Sequence, residues 1–281
     1  KYGIMNFIPS KFSLNGHQTF PMRYGWLEKI CINLIDRYQL DTFDIDLIGH
    51  EELITNYGLG KNMAESLRFW LKSCDIIEMN FSAKTAKFTP FALSIFGNNG
   101  SDPYLENIET IWYLHWKIIQ NNHLNFTWYW YFNHFTISNF DRSHLVEEIL
   151  STIGKVKADI TSQQSVKRDV DCFVRSYIAP SPQSVYTAED VLECPLTELN
   201  LIRKVYGNAL NAKRDFQDGI PDELFLRSID NLRNNSGITA NTITVETLLN
   251  SPYSPGANFL LSREALTEKL ENISNISENS I

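Results

Sequence analysis

A histidine and an arginine lie in a short segment near the start of the sequence, GHQTFPMRYGW at 16–26. His17 could act as an acid, as a base or as a partner of a phosphate group, and Arg23 could clamp a phosphate through its planar guanidinium. Glycine and proline residues around them fix the local backbone. We therefore predict His17 and Arg23 as catalytic residues. The alternative is an N-terminal arm in which both side chains hydrogen-bond to the backbone and cap the first helix.

A second candidate for phosphate chemistry is Gly-Leu-Gly-Lys at 58–61. A P-loop requires a glycine five residues before Gly60 and a hydroxyl after the lysine, but Thr55 and Asn62 occupy those positions. A dinucleotide-binding fingerprint requires a third glycine, and a methionine stands in its place. The segment is instead typical of a tight turn in which Gly58 ends one helix in a left-handed conformation.

The helix that follows this turn is amphipathic. Its apolar residues recur on one helical stripe, formed by Met63, Leu67, Trp70, Leu71 and Cys74. Its opposite face carries Lys61, Asn62, Glu65, Arg68, Phe69 and Lys72. A short helix, a glycine turn and a second helix with a polar-basic outer face are typical of a helix-turn-helix. We predict DNA contacts from Lys61, Asn62, Arg68 and Lys72.

The flanking segments predict a winged version of this motif. A first helix is expected upstream, from Pro21 to about Tyr38. Two short strands are expected downstream, within residues 75–89, and we predict that Lys84 and Lys87 meet the DNA backbone there. A closing helix is expected at 90–96, with a proline in its first turn.

A second copy of the same pattern is predicted in the middle of the chain. Residues 141–154 predict a helix with Asp141 as its N-cap, and residues 162–178 repeat the apolar spacing of the first candidate recognition helix. The outer face of this helix carries Asp171 together with three basic residues, and we predict DNA contacts from Lys167, Arg168 and Arg175. Any amphipathic helix shares this spacing, so an unrelated helix is the alternative interpretation.

These elements predict a mainly α-helical protein with small β wings. Tandem winged helix-turn-helix units are expected within 1–100 and 101–180, joined by a buried aromatic helix at 102–135. The remaining residues, 181–281, predict a small α+β region. A metal site in the aromatic segment would need three histidines to converge, and their spacing matches no standard zinc pattern: His115, His123 and His134.

The last region is expected to begin with a Pro/Ser-rich linker at 179–195. Residues 244–270 predict a helix, a turn, a short strand and a final helix that Ser262 caps. The tail at 271–281 is polar and is expected to fray.

The bulk composition narrows the class of protein. The formal net charge of −8 argues against a blanket electrostatic grip on nucleic acid, although a local basic face remains compatible with it. The four cysteines form no C-x-x-C pair, which fits a reducing compartment. No apolar run reaches the roughly 20 residues that a membrane span needs. We therefore expect a cytoplasmic protein without membrane contacts.

Six ordered segments resemble a bacterial domain-of-unknown-function family: NGHQTFPMRYGWLEK (15–29), YGLGKNMAESLRFWL (57–71), FTPFALSIFGNNGSDPYLEN (88–107), WYLHW (112–116), SVKRDVDCFVRSY (165–177) and YSPGANFLL (253–261). This family lies beside sulfur-transfer genes and resembles the B component of Ssp-type DNA phosphorothioation systems (SspB-like), with relatives in other phage-defence clusters. The resemblance implies a DNA-nicking protein that works with sulfur-transfer and ATPase proteins.

Nicking would require an activated water and neutralised charge at the phosphate, usually from carboxylates on a divalent metal. Mg²⁺ or Mn²⁺ is therefore expected if the chain nicks DNA, with ligands that the sequence leaves unknown. Two carboxylate groups are candidates, and each has the alternative of ordinary surface charge: Asp44 and Asp46 beside Glu51 and Glu52, and Asp169 beside Asp171. No standard nuclease motif is visible.

Three functions therefore stay open. The chain is a DNA-nicking component of a phosphorothioation or related phage-defence system, a non-catalytic DNA-binding adaptor or transcriptional regulator that recruits partner enzymes, or a winged-helix module that binds other proteins. Double-stranded DNA is the expected partner in the first two cases. A homodimer is compatible with all three.

Overall fold

The computed structural model describes residues 8–9, 11–38, 42–155, 162–179 and 193–278. In these residues the chain is mainly helical, with two small antiparallel sheets, so the expected fold class is confirmed at this level. Apolar side chains from all regions pack into one continuous core. None of the helices described is both long and apolar enough to cross a membrane.

The first part of the chain forms a helical unit with a three-stranded sheet. Its elements are α1 (Trp26–Tyr38), β1 (Thr42–Asp44), α2 (His50–Tyr57), α3 (Lys61–Ser73), β2 (Ile77–Asn80), β3 (Thr85–Phe88) and α4 (Pro90–Phe96). Strand β3 lies between β1 and β2, antiparallel to both. The two strands predicted within 75–89 are therefore β2 and β3, and β1 adds a third strand to them.

A glycine turn joins α2 to α3 at the predicted position. Gly58 adopts a left-handed conformation, with φ of 67°, and its amide donates to the carbonyl oxygen of Ile54. This conformation favours glycine because a side chain would crowd the backbone. On α3, the stripe that includes Leu67, Trp70 and Leu71 is buried, so burial of this apolar face fixes the rotation of the helix.

The first helix is shorter than expected. It begins at Trp26 rather than at Pro21. Gly25, with φ of 82°, precedes it, and a turn hydrogen bond runs from the Trp26 amide to the Arg23 carbonyl oxygen. The left-handed glycine interrupts the helical path, so the residues before it form a turn.

The single aromatic helix expected within 102–135 is wrong, because the segment forms two helices, α5 (Ile108–Gln120) and α6 (Phe126–His134). Asparagine side chains stabilise the break between them. Oδ1 of Asn121 accepts from the Leu124 amide at 3.1 Å, and Nδ2 of Asn125 donates to the Ile118 carbonyl oxygen at 3.1 Å. Such local side-chain bonds compete with helix continuation. The aromatic residues of α6 are buried, as expected, whereas in α5 Trp112 is buried and Tyr113 and Trp116 are half-buried.

The second unit repeats the order of the first. Its elements are β4 (Asn139–Phe140), α7 (Arg142–Gly154), α8 (Gln163–Tyr177), β5 (Arg203–Lys204) and β6 (Leu210–Asn211). The last strand again lies in the middle of the sheet, so the order β4-β6-β5 matches β1-β3-β2. Asp141 caps α7 as predicted, because its carboxylate accepts from the His144 amide. Residues 156–161 and 180–192, which include most of the predicted linker, lie outside the described residues.

The C-terminal part consists of four helices: α9 (Asp222–Ser236), α10 (Val245–Asn250), α11 (Pro255–Asn258) and α12 (Arg263–Glu278). The short strand expected between the last helices is wrong, since α11 occupies that segment and a single bridge joins Asp215 to Leu261. Ser262 caps α12 as predicted. Fraying from residue 271 is also wrong, because α12 continues to Glu278 and packs Leu270 and Ile273 against the core.

Candidate nucleic-acid interface

The outer face of α3 carries the predicted basic and amide side chains. Lys61 and Asn62 are exposed at its start, and Arg68 and Lys72 are half-buried further along. Burial and the neighbouring Arg68 guanidinium lower the pKa of Lys72. Glu65 lies among these residues, with Oε2 at 4.0 Å from Nη1 of Arg68. This face therefore mixes both signs of charge rather than presenting a uniformly basic surface.

Phe69, expected on the same outer face, lies inside the molecule. Its side chain is only 4% exposed, and its ring meets the ring of His17 edge-on at 5.7 Å between centroids. A Cβ atom on Gly16 would lie 2.6 Å from Cδ2 of this ring. Gly16 is therefore needed for the close approach of the N-terminal segment to α3.

The turn between β2 and β3 carries the two lysines predicted for the first wing. Lys84 is exposed in a left-handed turn position, and its carbonyl oxygen accepts from the Ile45 amide. Nζ of Lys87 lies 2.7 Å from Oε2 of Glu78, so this lysine forms an ion pair within the hairpin. Phe81 is 68% exposed in the same turn.

The outer face of α8 brings three predicted residues together. Lys167, Arg168 and Arg175 are exposed, and all three line a cleft of about 740 Å³ between α8, the start of α7 and the β5–β6 turn. Asp171 lines the same cleft and pairs with Arg142 at 3.3 Å. Arg175 also donates to the carbonyl oxygen of Thr19, which ties the N-terminal segment to α8.

Residues 15–20, which we term the arm, lie between α3 and α8. The Phe20 carbonyl oxygen accepts from Oγ of Ser66 at 3.1 Å and from Nε1 of Trp70 at 3.0 Å, both on α3. On the other side, the Asn15 amide donates to Oδ1 of Asp169 on α8 at 2.8 Å. The arm therefore joins the two candidate recognition helices through its backbone.

His17 lies at the centre of the arm and is 1% exposed. Its Nε2 lies 2.8 Å from Oδ1 of Asp169, and the Thr19 amide donates to its Nδ1 at 3.1 Å. Burial lowers the pKa of the imidazole, but the adjacent Cys172 and the Asp169 carboxylate raise it, and the net shift is upward, to about 10. The Thr19 contact nevertheless favours the uncharged ring. Because the Thr19 amide requires a lone pair on Nδ1, the neutral ring with its proton on Nε2 satisfies both contacts.

Both nitrogens of His17 are therefore occupied by protein groups, and its ring is packed against Phe69, Trp70 and Trp128. A phosphodiester would reach this ring only after displacement of the arm. In this conformation His17 fixes the arm through the Asp169 carboxylate and the Thr19 amide, rather than by capping the first helix. A catalytic role for His17 stays a prediction.

Arg23 lies in a different environment from His17. Its guanidinium carbon lies 5.7 Å from the ring centroid of Phe20 and 5.9 Å from that of Trp26, which are cation–π distances. It lines a small pocket of about 140 Å³ beneath the turn between α2 and α3, together with Tyr57 and Met63. The sequence-predicted pair therefore belongs to two separate environments in this conformation.

Three of the candidate carboxylates bond protein groups: Asp44, Asp169 and Asp171. Asp44 caps the short 3₁₀-helix Ile45–Ile48 by accepting from the Asp46 amide at 2.9 Å. Asp169 bonds the arm, and Asp171 bonds Arg142 of α7. Among the described residues, no three His, Cys, Asp or Glu side chains are grouped so that they could hold a metal ion.

The three histidines of the aromatic segment lie in different surroundings, and His123 is exposed. His115 is fully buried, with Nδ1 at 2.8 Å from the Tyr177 hydroxyl and Nε2 at 2.9 Å from the Asn258 carbonyl oxygen. Burial lowers the pKa of His115 to about 4, and burial has the same effect on His134. His123 bonds the Lys11 carbonyl oxygen. The neutral forms of the two buried rings are therefore part of the fold.

Sequence reasoning missed the β5–β6 hairpin, which lies beside the α8 cleft. Its strands are only two residues long, too short for an alternating apolar pattern to appear. The available signal was the tract RKVYGN at 203–208, in which two basic residues precede a glycine turn. Asn208 from this turn lines the cleft with Lys167 and Arg168.

Comparisons with known proteins give one family and one fold. The DUF4007 family, whose description is "Protein of unknown function", matches residues 14–281. A structure described as "Magnesium ion-bound SspB crystal structure" is similar with a TM-score of 0.78 and 23% identity over 99% of this chain and 81% of the other. The "SspB crystal structure" gives a TM-score of 0.78 and 22% identity over 98% and 81%. No curated protein sequence matches this one.

Proposed function

Because the chain belongs to the DUF4007 family, we propose that it is the DNA-binding component of a bacterial DNA phosphorothioation system or a related phage-defence system. Its similarity in fold to SspB and the six family segments support the assignment to such a system. In this proposal, α1–β3 and α6–β6 are tandem winged helix-turn-helix units, and their partner is double-stranded DNA.

One observation carries the proposal. The strand, helix, helix and hairpin order occurs twice with the same strand arrangement, and the third element of each copy, α3 or α8, has basic side chains on its outer face. A winged helix binds duplex DNA by placing such a helix in the major groove, where lysine and arginine neutralise phosphates. Lys61, Lys72 and Arg175 suit phosphate contacts, while Asn62, Arg68, Lys167 and Arg168 also suit base edges.

In this proposal, the arm holds the outer faces of α3 and α8 together as one DNA-binding surface. It hydrogen-bonds α3 on one side and α8 on the other, so the two helices keep a fixed separation. Preorganisation of two contacts lowers the entropic cost of binding a duplex.

Gel-shift titration tests the DNA-binding part of the proposal. At low salt the full chain is expected to retard a labelled duplex of mixed sequence. The retardation is expected to disappear as the salt concentration rises, because phosphate contacts release counterions. A duplex that is not shifted at any protein concentration would overturn the proposal. The winged units would then be better explained as modules that bind the sulfur-transfer and ATPase proteins expected as partners.

Nicking is the finer part of the proposal and rests on the resemblance to the SspB-like family. We infer that the chain relaxes supercoiled plasmid, with His17 and Arg23 as the residues to replace first. Plasmid relaxation with and without Mg²⁺ or Mn²⁺ measures this directly. His17→Ala and Arg23→Ala are each expected to lose relaxation. Arg23→Ala is expected to retain duplex binding, because Arg23 lies outside the arm that joins α3 to α8. Intact plasmid in the presence of measurable DNA binding would make the chain an adaptor instead.

A further inference from the structure

The β5–β6 hairpin projects an ordered, exposed turn. The Val205 amide donates to the Ala209 carbonyl oxygen at 3.0 Å, and the Ala209 amide donates to the Tyr206 carbonyl oxygen at 2.9 Å. Gly207, with φ of 57°, closes the turn. Two large side chains stand out from it, Val205 at 64% exposed and Tyr206 at 88% exposed. Single exposed apolar residues are ordinary, but an adjacent aliphatic and aromatic pair on a defined turn is a candidate contact surface.

This hairpin occupies the position that the β2–β3 hairpin has in the first unit. Both follow the second helix of their unit, and in both sheets the last strand pairs with the first. Both turns also carry an exposed aromatic side chain, Phe81 in the first and Tyr206 in the second. The equivalence arises from topology and would not be found by comparing the two segments residue by residue.

The two hairpins differ in the ion pairing of their basic residues. Lys87 of the first hairpin is paired with Glu78. In the second, Arg203 and Lys204 are both exposed on the edge strand, and neither forms an ion pair with a described residue. Basic residues on an edge strand can simply discourage aggregation. Here, however, they precede the exposed turn and lie in the hairpin that borders the α8 cleft, which is lined by four basic and three acidic side chains.

The hairpin and the α8 cleft form one surface. Asn208 from the turn lines the cleft with Lys167, Arg168 and Arg175. A ligand held on the outer face of α8 would therefore meet the β5–β6 turn. A long polyanion with apolar groove edges matches this surface in two ways. Its charges can bind the basic residues, and its sugar or base faces can contact the aromatic ring.

We propose that the β5–β6 hairpin is a DNA-contacting wing, in which Arg203 and Lys204 bind backbone phosphates and Tyr206 enters the minor groove beside the site occupied by α8. This inference rests on the proposed function and assigns a second point of contact to the same duplex. Tyr206 supplies a ring for the groove, and the two basic residues hold the hairpin against the phosphates.

Fluorescence anisotropy with a labelled duplex at low salt tests the wing, using the full chain. Tyr206→Ala is expected to weaken binding about tenfold, the loss that removal of an aromatic nucleic-acid contact produces. Tyr206→Phe keeps the ring and is expected to bind within about twofold of the unchanged chain. Tyr104→Ala removes another tyrosine, 65% exposed in the loop before α5, and is the matched control, expected to leave affinity unchanged. Arg203→Ala with Lys204→Ala is expected to weaken binding about tenfold or more at low salt.

The outcomes separate this inference from the proposed function. If the unchanged chain binds duplex and Tyr206→Ala binds equally well, the wing is overturned while the DNA-binding function stands. Equal losses for Tyr206→Ala and Tyr104→Ala would also overturn it, because the effect would not belong to the hairpin. Failure of the unchanged chain to bind any duplex would overturn both. Because Tyr206 is nearly fully exposed, all variants are expected to unfold at the temperature of the unchanged chain.

Discussion

At the residue scale, Asp169 is the most consequential side chain in the arm. Its buried Oδ1 accepts from the Asn15 amide and from His17 Nε2, so one oxygen anchors the arm to α8. The sequence identified His17 as unusual from its neighbours along the chain. It could not identify Asp169 as its partner, because the two are 152 positions apart and long-range contacts leave no trace in local spacing. Asp169 was instead considered as a surface or metal-binding carboxylate.

Replacement of Asp169 should therefore be costly. Asp169→Ala leaves the Asn15 and His17 donors buried without an acceptor and is expected to lower the free energy of unfolding by about 2–4 kcal/mol. Asp171→Ala removes the same side chain two positions away, where it forms a half-exposed pair with Arg142, and is expected to cost under about 1 kcal/mol. Urea unfolding of both variants measures the difference. Equal losses would contradict the anchoring role.

The buried His115 predicts acid sensitivity. Burial places its folded-state pKa at about 4, below the ordinary value of 6.5, so between these values the unfolded chain binds a proton that the folded chain does not. Stability is complete above about pH 6.5 and falls as pH drops towards 4, by about 2 kcal/mol per such histidine between about pH 7 and 5. His134 acts in the same direction.

Urea unfolding at about pH 7 and about pH 5 checks this prediction. His115→Gln removes one titrating group, so its loss of stability between the two pH values is expected to be smaller than that of the unchanged chain. An identical pH dependence in the two proteins would show that His115 is not the titrating group.

At the element scale, the sequence predicts best where one signal dominates. The glycine turn between α2 and α3 was predictable because Gly58 needs a left-handed conformation and the stripe after it is regular. The break between α5 and α6 was not, because apolar residues continue on both sides and asparagine side chains define it. The β5–β6 hairpin was missed because two-residue strands carry no periodicity. The polar tail was expected to fray, but α12 extends into it because Leu270 and Ile273 pack on the core.

The contact between the arm and α3 gives a prediction at this scale. Gly16→Ala would place a Cβ atom 2.6 Å from the Phe69 ring, and it is expected to lower the free energy of unfolding by about 1–3 kcal/mol as the arm shifts. Gly154→Ala, at the exposed end of α7 with no atom within 4 Å of the new Cβ, is expected to be neutral or to stabilise by up to about 1 kcal/mol. Thermal unfolding compares the two. A loss confined to Gly154→Ala would contradict the packing argument.

At the scale of the whole molecule, the arm and the shared core make the two units one body. The arm bonds α3 and α8, and the aromatic helices α5 and α6 lie in the same apolar core as both units. The net charge of −8 therefore coexists with basic side chains on the outer faces of α3 and α8, where acidic side chains lie among them. The composition gives the net charge but not the positions of the basic side chains, because the distribution of charge depends on the fold.

The salt dependence of duplex binding tests the central claim most directly. We expect the logarithm of the affinity of the unchanged chain to fall linearly with the logarithm of salt concentration. Lys167→Ala with Arg168→Ala is expected to bind more weakly and to reduce that slope by about 1.8, since each lost phosphate contact accounts for about 0.9. Duplex binding that is absent, or that is independent of salt in both proteins, would contradict the account.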